Sequence, residues 1–164
     1  MSKQKKISLR NRKPPAIRFP GGHVQIVNPR WPIENVWSDI LHLKPGAELP
    51  SHTHKQTSSL LICLSGSGKV GVNETRTQLR KGICAFIPAG AKHYVKAGRR
   101  SALTCLSINQ GIIKPGAGTD MTFTNPELAG KWSGFMADCG KIAADFQKKI
   151  KSDSKNWGVF ALDL

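Results

Sequence analysis

From Val36 to Ile108, apolar and polar positions alternate in short runs, and most runs end at Gly, Pro, Asn or a charged pair. A period of two marks a strand with one buried face. The runs predict strands at Val36–Leu43, Thr57–Ser65, Gly68–Val72, Thr75–Leu79, Ile83–Ile87, His93–Lys96 and Ala102–Ile108, with an earlier one at His23–Val27. Gly66-Ser67-Gly68, Asn73-Glu74 and Arg80-Lys81-Gly82 read as hairpin-type turns. Many short strands divided by Gly-rich turns predict an all-β antiparallel sandwich or barrel, not βαβ units.

The pattern changes on both flanks. Met1–Pro20 is basic and contains prolines, which predicts a flexible arm (residues 1–20) ahead of a barrel (21–110). In the third zone (111–164), Gly111–Asn125 reads as loop. Asp138–Lys151 carries Ile142, Phe146 and Ile150 at helical spacing, with Lys148, Lys149 and Lys151 at its end to complement the helix dipole. That C-terminal helix is expected to pack on the barrel or on a second subunit. The apolar stretch Trp157–Leu162 is expected to dock likewise, on the same molecule or on a second subunit, which is consistent with a homodimer.

The chain has 164 residues, 39% of them hydrophobic, enough for one domain with a single core. No apolar run is long enough to cross a bilayer, and the N-terminus lacks the apolar stretch of a secretory signal. No membrane association and a cytoplasmic location are therefore expected. Cys63, Cys84, Cys105 and Cys139 show no CxxC spacing; the first three lie in strand-like runs and are expected as reduced, small hydrophobes.

The formal charge of +15 is large for this size. It is spread over the arm and over Lys69, Arg76, Arg80, Lys81, Lys92, Lys96, Arg99 and Arg100 around the expected barrel. Such a field attracts anions. A small anionic molecule, a nucleic acid or an acidic partner would fit; nucleic acid rests on charge alone, because no nucleic-acid motif is present.

Candidate chemistry centres on His52-Thr53-His54, which follows the turn Lys44-Pro45-Gly46. In a strand, residues i and i+2 share a face, so two imidazoles stand on one wall. His93 follows a Pro88-Ala89-Gly90 turn, and on an adjacent antiparallel strand it would face that pair. Three imidazoles together suit iron, nickel, zinc, manganese or copper.

With these residues the chain resembles the cupin superfamily, whose two motifs are G-x5-H-x-H-x3,4-E-x6-G and G-x5-P-x-G-x2-H-x3-N. Gly46, His52, His54 and Gly66 fit the first, and Gly82, Pro88, Gly90 and His93 the second, with Ala97 in place of Asn. The resemblance implies a double-stranded β-helix, or jelly-roll barrel, with a divalent metal held by His52, His54 and His93. Iron(II) is the expected ion, with nickel, zinc, manganese and copper as alternatives. The family's Glu position falls on Ser59, and Gln56 lies a residue or two away from it. Ser59 and Gln56 are thus additional site candidates, but neither replaces a carboxylate.

Two consequences follow. A neutral three-His triad would leave the metal its full charge, as in several cupin dioxygenases. The stretch from His52 to Ser59 also looks like the HxHxQSA segment of gentisate-type dioxygenases. On this reading the protein is a dioxygenase-like oxidoreductase acting on a small anionic organic substrate, with no general base in view. Alternatively the barrel binds or senses a ligand without catalysis, or serves as an accessory module on an acidic partner. If Ser59 faces inward, Leu61 and Cys63 should do so too, and Val95 with His93, giving a largely apolar pocket.

Overall fold

The computed structural model describes residues 16–28, 35–111, 120–138 and 141. The elements are β1 (Ala16–Phe19), β2 (Gly22–Asn28), β3 (Val36–Leu43), β4 (Glu48–His54), β5 (Ser58–Val72), β6 (Thr75–Arg80), β7 (Cys84–Ile87), β8 (His93–Ala97), β9 (Leu103–Gln110), β10 (Met121–Phe123) and α1 (Pro126–Lys131). All strand pairs are antiparallel. One sheet runs β1-β2-β3-β9-β5-β7 and the other β10-β4-β8-β5-β6, with β5 in both. The result is the expected all-β jelly roll.

The shared strand is where the sequence reading needs correction. Gly66-Ser67-Gly68 is not a hairpin; one strand of 15 residues runs straight through it. Its first part pairs with β9 up to Gly66↔Leu103, and its second part pairs with β8 from Gly68↔Ala97. Gly66 sits at the switch with φ +79, and a Cβ there would run into the Ala102 carbonyl. Only glycine fits, because the chain both takes a left-handed bend and passes close to another backbone. Asn73-Glu74 does form a tight hairpin: Val72 pairs with Thr75, and Asn73 has φ 51.

The core lies between the two sheets. Leu41, Leu43, Leu61, Cys63, Val70, Val95, Leu103 and Cys105 are all buried there, as alternation requires for strands with one inward face. Cys63 and Cys105 are free thiols directly opposite one another, and burial pushes the Cys105 thiol up to about 12. They are packing groups, not nucleophiles. Cys84 is exposed.

Gly111–Asn125, expected as loop, holds the short strand β10, which pairs with β4. It leads into α1, whose start is chemically specified. The Asn125 side chain accepts from the Glu127 amide at 3.0 Å, and Pro126 occupies the first turn. Residues 133–138 are helical as well. Trp132 and Phe135 pack against Phe19, at ring distances of 4.9 and 5.4 Å, and Trp132 lies 5.2 Å from Phe123. This aromatic group ties the C-terminal helix to β1 and β10. The helix expected over Asp138–Lys151 and the apolar Trp157–Leu162 stretch fall almost wholly outside the described residues, as do Met1–Pro15 and Cys139. Among the described residues, no helix is long and apolar enough to cross a membrane.

Candidate metal centre

β4, β8 and β10 build the centre. His52 and His54 share the inner face of β4, and His93, the first residue of β8, pairs directly with His52. The ring centroids of His52 and His93 are 4.1 Å apart, His52 and His54 5.1 Å, and His54 and His93 5.4 Å. One nitrogen from each of the three lies within 4.8 Å of the others. His52 and His93 are buried, while His54 is partly open to solvent.

Local backbone features aim these rings. The register between β4 and β8 slips between Leu49 and His52, a bulge that contains Pro50. Proline has no ladder N–H to lose there. The bulge turns the Pro50 carbonyl toward its own neighbour, and His52 Nδ1 donates to it at 2.6 Å. The Pro88–Gly90 turn, with Gly90 at φ 78, is fastened to β4 because the Gly90 amide donates to the His54 carbonyl at 2.7 Å. It leads to His93, whose Nδ1 donates to the Ala91 carbonyl at 2.9 Å. His54 Nδ1 lies 2.9 Å from Asp120 Oδ1.

These three partners settle the tautomers. Carbonyl and carboxylate oxygens only accept, so each Nδ1 carries a proton and Nε2 is the nitrogen left to each ring for a metal. The charge states agree. Burial, with the neighbouring His93 and His54, holds His52 well below the ordinary histidine range. Burial likewise lowers His93 to about 4. Burial alone would raise Asp120, but the hydrogen bond and charge of His54, with donors from Thr57 and the Gln56 amide, bring it down to about 2. Asp120 is therefore an ionised acceptor. Three imidazoles, each fixed through Nδ1, turn their other ring nitrogens toward one another, the usual preparation of metal-ligating histidines. This donor set fits a divalent borderline metal ion.

The two further candidates take other roles. Gln56 is exposed, and only its backbone amide engages the centre, through Asp120 Oδ2 at 3.0 Å. Ser59 is buried, but its hydroxyl donates to Asn109 Oδ1 at 2.6 Å, and the Asn109 amide donates to Asp39 Oδ2 at 2.6 Å. Leu61, Cys63 and Val95 are buried in the core, as their alternation implies, and Phe123 lies 6.1 Å from His52.

Asp120 and Asp39 escaped the sequence reading. Asp120 is the one acid in the Gly111–Asn125 segment and precedes the alternation Met121-Thr122-Phe123-Thr124. Asp39 stands on the same strand face as Leu41 and Leu43, a carboxylate in an apolar series. Burial raises it to about 6, against the lowering effects of the Asn109 hydrogen bond, the His54 charge and Ser107.

The comparisons with known proteins agree with this architecture. Residues 39–109 match the family model of the cupin domain. The structure of TT1209 from Thermus thermophilus is 26% identical, the match covering 58% of this chain and 88% of that one at a TM-score of 0.51. Rru_A2000 from Rhodospirillum rubrum, described as a cupin-2 domain, is 15% identical over 78% of each chain at a TM-score of 0.55. KdgF from Halomonas sp. is 17% identical, covering 58% of this chain and 83% of its own at a TM-score of 0.52. The last two likenesses bear on the fold alone. None of the curated proteins matches this sequence.

Proposed function

We propose that the barrel of this chain, whose residues 39–109 match the cupin-domain family model, serves a metal-dependent, dioxygenase-like enzyme acting on a small anionic organic substrate. The observation that carries the reading is the set of three Nδ1 hydrogen bonds, which leaves the three Nε2 atoms free to converge on an ion. His52, His54 and His93 would hold the ion, and iron(II) suits oxygen-dependent chemistry. Bound there, the metal would supply Lewis acidity toward a chelating anion and redox activity toward oxygen.

The remaining work belongs to the chain. Phe123, beside His52, and the apolar core that includes Leu61 and Val95 would favour an organic, even aromatic, ligand. Among the described residues no Lys or Arg is buried, so none of these offers a cation inside to pair with the substrate's negative charge. That charge would then be met at the metal, while the surface excess of Lys and Arg speeds its approach.

The test is oxygen consumption by the iron(II)-loaded chain over a panel of phenolic and thiol carboxylates. At least one should be turned over with uptake of oxygen, and the His52→Ala/His54→Ala variant should show none. Retained metal with no oxygen uptake from any member would leave the second reading, a ligand-binding cupin without catalysis. One observation favours that second reading: Ser59, at the family's carboxylate position, is engaged with Asn109.

A further inference from the structure

The wall facing the histidines is polar in one place only. On β3, Trp37, Asp39, Leu41 and Leu43 share a face, and the two leucines belong to the core. On β9, Leu103, Cys105, Ser107 and Asn109 do the same; on β5, Ser59, Leu61 and Cys63. Register sets Asp39 opposite Ser107, and Asn109 opposite Ser59. Among the described side chains of β3, β9 and β5, this inner face is therefore apolar except for one patch: Asp39, Ser107, Asn109 and Ser59.

Within the patch, the hydrogen bonds run one way. Ser59 donates to Asn109, and Asn109 donates to Asp39 Oδ2, both at 2.6 Å. Ser59 and Asn109 thus position the carboxyl without neutralising it. No Lys or Arg pairs with Asp39 among the described residues, in a chain with 25 of them. The titratable group that interacts with it is His54, on the opposite sheet, with Asp120 behind that ring. Across β9 it meets Ser107 and Asn109, and across β2 its register partner is Ile26. A half-buried acid on an inward sheet face, oriented but with no cationic partner among the described residues, is costly to the fold unless it serves something else.

We propose that Asp39 is the proton-exchanging group of the metal pocket, taking the proton of an acidic O–H on a ligand that chelates the ion at His52, His54 and His93. The O–H bond breaks, its electron pair stays on the ligand oxygen, and the proton moves to a carboxyl oxygen of Asp39; nothing is oxidised or reduced. The reverse transfer returns the proton to the departing product. The substrate class narrows accordingly, to anions with an ionisable hydroxyl beside a second donor oxygen. The inference rests on the three-His centre proposed above.

The experiment uses the full chain loaded with nickel(II), which stays divalent in air, and acetohydroxamic acid, which loses its N–OH proton when both oxygens bind a metal. Metal content is measured first, so absence of metal overturns the centre itself and is distinguishable from failure of the Asp39 role. Calorimetry near pH 7.5, in buffers of differing ionisation heat, then counts protons. The wild type should release close to none, because Asp39 retains the proton, and Asp39→Asn about one per probe bound. An infrared difference spectrum of the wild type should gain a protonated-carboxyl C=O band on binding, a reading that needs no variant. Ser59→Ala keeps Asp39 and should keep that band. A wild type that retains metal but does not bind the probe, equal proton release in wild type and Asp39→Asn, or no carboxyl band would overturn the assignment.

Discussion

At the residue scale, the site depends on which atom of each imidazole is occupied. Asp120 is the least obvious part, since it lies far along the chain yet holds His54 Nδ1 and accepts from Thr57 Oγ1 at 2.8 Å. Asp120→Asn removes the charge that orients His54. Metal affinity should fall about 10- to 100-fold while the fold persists, as is typical for partners of ligating histidines; unchanged affinity in a competitive chelator titration would show that Asp120 merely tethers the segment. Charge states also set the pH response of the metal-free chain. His93 has its folded pKa lowered to about 4, so its contribution is fully present above the unfolded value of 6.5 and is lost as pH falls through that window. Asp39 acts in the opposite sense. Its folded pKa of about 6 exceeds the ordinary 3.8, so stability present below the unfolded value is lost as pH rises through the folded one, by at most about 3 kcal/mol. Asp39→Asn should therefore stabilise the protein at pH 8 and leave stability near pH 3.5 unchanged. Urea midpoints at the two pH values check this, and a loss of stability at pH 8 would show that the carboxylate itself holds the core together.

At the scale of elements, β3 was legible at its true bounds, because Val36–Leu43 alternates cleanly and ends at Pro45-Gly46. The strand carrying His52 and His54, the turn before His93 and the pairing of the two could also be read, since motif spacing fixes them locally. What could not be read is non-local. Gly66 looks like a turn glycine in sequence, yet its partners on β9 and then β8 make it a bend between sheets. β10 is three residues long and exists only because β4 offers an edge beside the histidines. The Ser59–Asn109–Asp39 contacts join three strands far apart in sequence, so no window along the chain contains them. α1 did carry its signal, Asn125-Pro126 followed by Glu127, and it was overshadowed by the stronger period further on. The Gly66 assignment has a direct consequence. Gly66→Ala adds a Cβ against the Ala102 carbonyl at a positive φ and should destabilise by at least about 2 kcal/mol. An unchanged denaturation midpoint would mean that the switch can relax.

At the scale of the molecule, chemistry and charge are spatially separate. The three histidines face inward, whereas the basic side chains among the described residues lie outside. The described surface includes a groove of about 350 Å³ lined by Lys69, Lys96, Arg99, Gln78 and Ser67, on the outer side of β5, β6 and β8. Lys96 there is already paired with Glu48 at 2.9 Å, and Lys69 lies 6.0 Å from the centre of the Tyr94 ring, which leaves the rim partly compensated. The +15 charge acts on approach more than on grip, so association rates of anionic ligands should fall with added salt while dissociation rates change little. Stopped-flow measurement at two ionic strengths reads that difference, and salt-insensitive association would remove the steering role. The central claim lies deeper, in the convergence of His52, His54 and His93. X-ray absorption at the metal edge of the zinc-loaded full chain reads it most directly. The account predicts imidazole scattering from three nitrogens at about 2.0–2.1 Å, and a spectrum without imidazole ligation, or a chain that retains no zinc, would contradict it.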